Sequence, residues 1–320
     1  MKLQQKMSVL TLLALGSLVI GCQKQKIAEK NYNTVNSRVV NNYTTLEVEI
    51  PTAVKNFQPN SSDYLHLYQE QLPNNNFAQW SNHPSSSVTS SLKNHPTFWS
   101  SPRFAKVKSG SNYSINTLYA LVDDGTLLTK GDIGPEGTNC LKMKSKKSLL
   151  ANIPGQISNA GLFADGSNEY QGFVATNNFD TEWSSATPFK SRPNAMEITF
   201  KYSPATKDKA IFEVMLHQGD GKFNPNKLDT RLPAQYPGNS SGVTNGNYKP
   251  VDANVIGYAA AKVPTPTVGS GYYKASLLIR YKDQHTTPDF VIVNLTSSDA
   301  YNILNNSTLE VCKVEFVYHY

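Results

Sequence analysis

Hydrolysis of a glycosidic bond needs two carboxyl groups facing each other across a cleft, about 5–5.5 Å apart for retention or 6.5–9.5 Å for inversion. Glu169, Asp180, Glu182, Glu197 and Glu213 are available for such work, and no spacing along the chain singles out a pair. Glu197 and Glu315 fall on the wet side of alternating strands and read as surface charge. The six histidines are scattered, with no His-Glu-x-x-His segment to hold zinc. No Gly-x-Ser-x-Gly elbow presents a serine nucleophile. Asp220-Gly221 with Asn224 is turn chemistry and lacks a calcium-loop pattern.

Aromatic rings can stack on the apolar face of a sugar while polar neighbours take its hydroxyls, the mixture expected of a small-ligand site. Of the three tryptophans, Trp80 and Trp99 read as packing at the start of the domain. Trp183 lies beside Glu182 in the polar stretch Asp180-Thr181-Glu182-Trp183-Ser184-Ser185, so this pair is the leading carbohydrate-binding candidate. Tyr236 and Tyr248, in a long polar connection, are weaker candidates. The readings left open are a sugar-binding module, a glycanase using loop carboxylates, and a structural or adhesion protein.

There are three cysteines, Cys22, Cys140 and Cys312. Lys2 and Lys6 precede an apolar run from Val9 to Ile20, too short for the roughly 20 residues of a membrane-spanning helix. That is the pattern of a signal peptide over residues 1–21. Val19-Ile20-Gly21-Cys22 resembles the lipobox of bacterial lipoproteins, with Val19 in place of the usual leucine. The resemblance implies acylation of Cys22 and attachment to a membrane, each buried methylene adding about 0.8 kcal/mol. Gln23, rather than Asp, after the cysteine favours the Gram-negative outer membrane, on either side of it. In an exported chain Cys140 and Cys312 could pair. Strict alternation argues otherwise, because Cys140 falls opposite apolar Leu141 and Met143 while Cys312 shares a face with Val314 and Phe316. The pairing stays open.

The formal charge of +6 includes Lys2 and Lys6. The remaining basic residues are interspersed with acids, without the clustered face of a nucleic-acid binder. Even the run Lys142, Lys144, Lys146, Lys147 reads as a solvated strand face.

The elements that must position these groups are strands. Residues 22–70 are rich in Asn, Gln, Lys and Ser and read as a spacer, with one short strand near Leu46, Val48 and Ile50. From residue 71 to 320, strand signals recur between Gly, Pro, Asn and Asp clusters. Met196, Ile198, Phe200 and Tyr202 alternate with Glu197, Thr199 and Lys201, and Tyr273, Ala275, Leu277, Ile279 and Tyr281 repeat the device. Phe290 to Leu295 is apolar almost throughout, as for a strand covered on both faces, and Asp124-Gly125 is a hairpin signal. Residues 218–254 form the longest polar connection. No long helical period occurs. The expected fold is all-β, an antiparallel β-sandwich or jelly roll over residues 71–320.

Several segments, in order, resemble the Bacteroidota carbohydrate metabolism domain family. They are Gln71-Leu72-Pro73-Asn74-Asn75-Asn76-Phe77-Ala78-Gln79-Trp80, Pro96-Thr97-Phe98-Trp99-Ser100-Ser101, and Arg192-Pro193 leading to Phe200-Lys201-Tyr202. Val255-Ile256-Gly257 and the ending from Thr287-Pro288 through Ser297-Ser298 to Val317-Tyr318 complete the series. The resemblance implies a jelly roll on a secreted or lipid-anchored protein that handles carbohydrate. Two departures stand out. Ala78 replaces the family's Glu, and Cys312 and Lys313 replace its paired Asp. In carbohydrate-binding modules of this layout, such positions supply oxygens to a structural calcium. With Lys313 beside the site to repel a cation, the expectation is no calcium and no other cofactor.

The sequence thus points to a cell-envelope lipoprotein held to the membrane through Cys22. Its expected partner is a polysaccharide or oligosaccharide, bound without catalysis, and not nucleic acid.

Overall fold

The computed structural model describes residues 44–45, 69–81, 94–102, 106–109, 112–115, 126–147, 152–165, 168–175, 187–218, 255–263, 265, 271–283, 285–298 and 304–318. For 44–45, 106–109, 112–115, 152, 162–165 and 168–175 the description is of backbone alone.

The described strands are β1 (Thr44–Thr45), β2 (Trp80–Ser81), β3 (His95–Pro96), β4 (Lys106–Ser109), β5 (Asn112–Ile115), β6 (Leu128–Ile133) and β7 (Asn139–Lys144). There follow β8 (Lys146–Lys147), β9 (Asn152–Ile153), β10 (Gln156–Ser158), β11 (Gly161–Asp165), β12 (Asn168–Ala175), β13 (Thr187–Pro188) and β14 (Ala195–Ser203). The last are β15 (Ala210–His217), β16 (Val255–Val263), β17 (Tyr273–Leu278), β18 (Arg280–Tyr281), β19 (Phe290–Thr296) and β20 (Thr308–Val317).

They build an antiparallel β-sandwich of jelly-roll class. The first sheet runs β1-β17-β14-β20-β7-β6, and the second runs β10-β19-β15-β16-β18 with β13 also on β19. A four-stranded sheet, β12-β11-β4-β5, and two short ribbons, β2-β3 and β8-β9, complete it. Parallel pairing occurs at β1 with β17 and at β4 with β11.

Period-two patterning sets the inner faces. Met196, Ile198, Phe200 and Tyr202 of β14 and Tyr273, Ala275 and Leu277 of β17 point into one core. From the second sheet Phe212, Val214, Leu216, Ala259, Ala261, Val291, Val293 and Leu295 meet them. Phe200 and Phe212 pack edge to face across it, with ring centroids 5.0 Å apart. The alternation that continues through Ile279 and Tyr281 conceals a corner. The chain leaves β17 at Leu278, the Ile279 amide donates to Asn194 O at 2.9 Å, and β18 joins the second sheet. Gly257 makes room there, since a side-chain carbon on it would lie 2.7 Å from the Tyr281 ring.

The strict alternation read along the last strand fails at Cys312. Phe200 pairs with Val311 and Thr199 with Lys313, so Cys312 is the extra residue of a β-bulge. The bulge resets the phase: Leu309 and Val311 face the core before it, Val314 and Phe316 after it.

The segments that carry the family resemblance are structural here. Beyond Cys312 the free edge of β20 is covered by residues 70–75. Asn75 O accepts from the Val314 amide at 2.8 Å. The Gln71 side chain accepts from the Phe316 amide and donates to Phe316 O, each at 2.7 Å, as a strand backbone would. Asn74, at φ 49°, donates its side-chain amide to Gln79 O and Thr97 O and accepts from the Gln79 amide. Phe77 and Trp99, both buried, stack beneath it at 5.0 Å. Arg192 lies 4.2 Å over the Tyr281 ring and donates to Thr286 O. Ser298 and Ser307 both donate to buried Asp208.

Candidate functional site

Each sheet has a second face, and the two differ. In the second sheet that face is buried. Every residue of β15 is buried, because Ile211, Glu213, Met215 and His217 point away from the core and are covered as well. Glu213 stands at the centre of this layer. Asn294 Nδ2 donates to its Oε2 at 3.1 Å, and the Tyr258 hydroxyl lies 3.5 Å from Oε1. Gln156 donates to Asn294 Oδ1 at 2.8 Å, extending the chain of amides to β10. The register explains the meeting: Glu213 pairs with Asn294 on one side and Ala260 on the other, and Tyr258 is two residues along β16 on the same side. A buried carboxylate is tolerated when its lone pairs are taken by donors, as they are here. Among the described residues, Glu213 is the one carboxylate on this face.

In the first sheet the outer face is wet and charged. Lys274 pairs with Glu197, Lys313 with Glu315 at 3.0 Å, Lys142 with Glu310 at 3.0 Å, and Lys201 with Asp132 at 3.4 Å. Most of these side chains are a quarter or more exposed; Glu310 is the exception at 7%. Gly131 and Asp132 form the bulge of β6, held by the Asn139 side chain donating to Gly131 O at 3.0 Å, and Gly131 comes so close to Glu310 that a side-chain carbon on it would sit 3.2 Å from Oε2. The Tyr272 hydroxyl donates to Ile133 O, at the end of β6, at 3.3 Å. Burial raises the Tyr272 phenol above its usual pKa, with Lys201 opposing and Glu310 and Asp132 adding to the rise.

Cys140 and Cys312 are joined in a disulfide, both residues fully buried. Val311 pairs with Leu141, so the next position in register sets Cys312 opposite Cys140. The bulge frees Cys312 from the facing that alternation assigns it, which is why that objection to the bond does not hold. Gly134 caps the sulfurs, and a carbon on it would lie 2.7 Å from Cys140 Sγ. The positions tied to the calcium question are an exposed Ala78, the bonded Cys312, and Lys313 paired with Glu315. Among the described residues no group of three His, Cys, Asp or Glu could hold a metal.

Cys22, Glu182, Trp183, Tyr236 and Tyr248 lie outside the described residues, as does the Asp124-Gly125 turn. For Glu169 the backbone of β12 is described and the side chain is not. No described helix is long and apolar enough to cross a membrane. Glu213 is among the available carboxylates in the sequence, but nothing marks it out, since an all-buried strand has no period-two signal. Glu310 is missed outright. Its partner Lys142 is far away in sequence, and only the β7–β20 register joins them.

The chain matches no family model. It matches no curated protein. Among solved structures it is similar to a native family 12 xyloglucanase from Bacillus licheniformis, at 9% identity and a TM-score of 0.26, covering 69% of this chain and 100% of that one. The family 12 xyloglucanase from the same organism in complex with ligand gives 10% identity and a TM-score of 0.25, covering 68% and 98%. Likeness of this size carries no residue role across.

Proposed function

We propose that this chain is a lipid-anchored envelope protein that binds or handles polysaccharide without cleaving it. The observation that carries the reading is the layer around Glu213, where amide, phenol and carboxylate groups are held in one network on a sheet face. Such convergent polar groups are what a polyhydroxylated ligand needs. Among the described residues Glu213 is the one carboxylate on this face, and its oxygens meet Asn294 and Tyr258, whereas hydrolysis uses one free acid and one free base. Glu213, Asn294 and Tyr258 are each fully buried. Acylated Cys22 would supply the anchor, and loop residues such as Trp183 beside Glu182, with Tyr236 and Tyr248, the stacking rings.

The test is to incubate the full chain, in detergent micelles, with a panel of plant and microbial polysaccharides and to measure retention and released reducing ends together. Retention without release, lost in Trp183→Ala, is the expected result. A glycanase is the second reading, favoured by the central place of Glu213. Release of reducing ends that disappears in Glu213→Gln would establish it and overturn the first. Mass spectrometry of the mature N-terminus checks the lipid, and an unmodified Cys22 would remove the anchor.

A further inference from the structure

Phe98 is disfavoured twice at its place in the fold. It is 48% exposed, and its backbone lies at φ 66°, in the left-handed region that a bulky residue rarely adopts. The pinning of its neighbours explains the backbone. The Thr97 amide donates to Gln79 O at 3.0 Å, and Thr97 O accepts from the Asn74 side chain at 3.0 Å. On the other side Trp99 is fully buried, its indole donates to Asn74 O at 3.2 Å, and Ser100 exchanges two backbone hydrogen bonds with Ser158. Held at both ends, residue 98 turns outward. Phe77, also at positive φ, differs, because its ring is fully buried and lies 5.0 Å from that of Trp99. The exposed Ile133 and Leu278 differ in the other respect, since neither has a positive φ. Asparagine takes such a φ far more readily than phenylalanine and would remove apolar surface from water. The fold asks for a small polar residue at 98, and an aromatic ring stands there. Backbone strain of this kind collects where a side chain has work to do on a ligand.

We propose that the Phe98 ring is the stacking platform of a neutral-saccharide subsite beside the β2–β3 ribbon. Lys130 lies 5.5 Å over Trp80 and Lys201 5.4 Å over Tyr272, whereas among the described residues no cation and no second ring lies against Phe98. The surroundings narrow the ligand class. Residues 71–81 and 94–102 contain no Asp, Glu, Lys or Arg. Their one histidine, His95, is fully buried, with its ring nitrogens on Pro96 O and the Ser101 hydroxyl. The polar group placed to help is a neutral amide: Gln79 is exposed, and its side chain reaches the Thr97 hydroxyl at 3.5 Å, one residue from the ring. An ion finds no countercharge among these residues. What fits is a molecule with an apolar face for the ring and hydroxyl groups for the amide. The pinned backbone suits the task, because a platform fixed before binding loses little freedom when the sugar arrives. The saccharide class rests on the reading above, while the strained, exposed ring rests on the geometry alone.

The experiment uses the full chain in micelles with neutral glucan, xylan and mannan oligosaccharides, and measures affinity and melting temperature for Phe98→Asn and Phe98→Tyr. Phe98→Asn should weaken binding by about tenfold while the melting temperature holds or rises, because the backbone is relieved. Phe98→Tyr keeps the ring and should bind within about threefold of the unaltered chain. A ring that serves packing behaves in the opposite way. A melting temperature lowered by more than about 4 °C in Phe98→Asn, or failure of that variant to fold, overturns the proposal. Equal loss of binding in both variants rejects stacking. Binding by Phe98→Asn equal to that of the unaltered chain overturns the subsite and leaves the polysaccharide reading in place. No binding of any oligosaccharide by the unaltered chain overturns the subsite and that reading together, and self-association abolished by Phe98→Asn would then assign the ring to contact between copies.

Discussion

The two outer faces of the sandwich handle polar groups in opposite ways. On the first sheet, charges sit in water and are matched in pairs: Lys274 with Glu197, Lys313 with Glu315, Lys201 with Asp132. On the second sheet, the Glu213 carboxyl group is buried and meets Asn294 and the Tyr258 hydroxyl. The lesson concerns tolerance. Exposed pairs contribute little and can be exchanged freely, whereas a buried carboxylate fixes the identity of every neighbour that must donate to it. Glu310 belongs to neither regime, being on the wet sheet yet buried beside the β6 bulge.

The largest expected effect breaks the contrast from the first sheet. Its β7–β20 contact is stapled by Cys140–Cys312, which closes a separation of 172 residues. On the chain-entropy account, losing such a bond removes about 5 kcal/mol. Urea unfolding of Cys140→Ala/Cys312→Ala checks this, and a loss below about 1 kcal/mol would show the staple to be idle. Next comes Glu213→Ala, which strands the Asn294 and Tyr258 donors and should cost about 3 kcal/mol. An unchanged urea midpoint would mean the second face is not a buried layer in solution. Asn74→Ala removes four side-chain hydrogen bonds at a positive-φ position and should cost about 2 kcal/mol.

Smaller still is the response to acid at Asp283. Burial alone would raise its pKa. Hydrogen bonds from the Thr286 hydroxyl and amide and the His285 amide, with Arg192 nearby, outweigh burial and hold the carboxyl below the usual carboxylate range. Its contribution to stability is therefore complete above the unfolded-state value of about 3.9 and is lost as pH falls through the lower, folded value. Thermal melts at pH 6 and pH 3 should show a gap between the parent chain and Asp283→Asn that narrows on acidification. The smallest effect is expected at Lys274→Ala, within about 0.5 kcal/mol. A loss above about 2 kcal/mol would mean the wet face is as exacting as the buried one.

Much of the sandwich is legible in the sequence because β14 and β17 each bury one face and leave the other wet. The residues Met196 to Tyr202 and Tyr273 to Leu277 announce that directly. Legibility ends where pairing over long distances decides the facing. The bulge at Cys312 is invisible without its partners Phe200 and Thr199, so the disulfide is unreadable from alternation. The corner at Ile279 is likewise hidden, because both sheets share one core and the hydrophobic period runs on across the turn. Glu213 offers no local signal, since β15 is buried on both sides. The opening segment is legible as a pattern but not as a device. Trp80 and Trp99 read as packing, while the roles of Gln71 and Asn74 depend on backbone groups that they meet only in the folded chain.

The covering of β20 by residues 70–75 has a bearing on assembly. A strand with unpaired amides and carbonyls along its side is a template on which another copy can add. Gln71 and Asn75 occupy that side between Val314 and Phe316, so the molecule carries its own stopper against strand-by-strand polymerisation. A chain trimmed to begin after Asn75 would lose β1 and the stopper but keep the other strands of both sheets, and such copies would stack edge to edge.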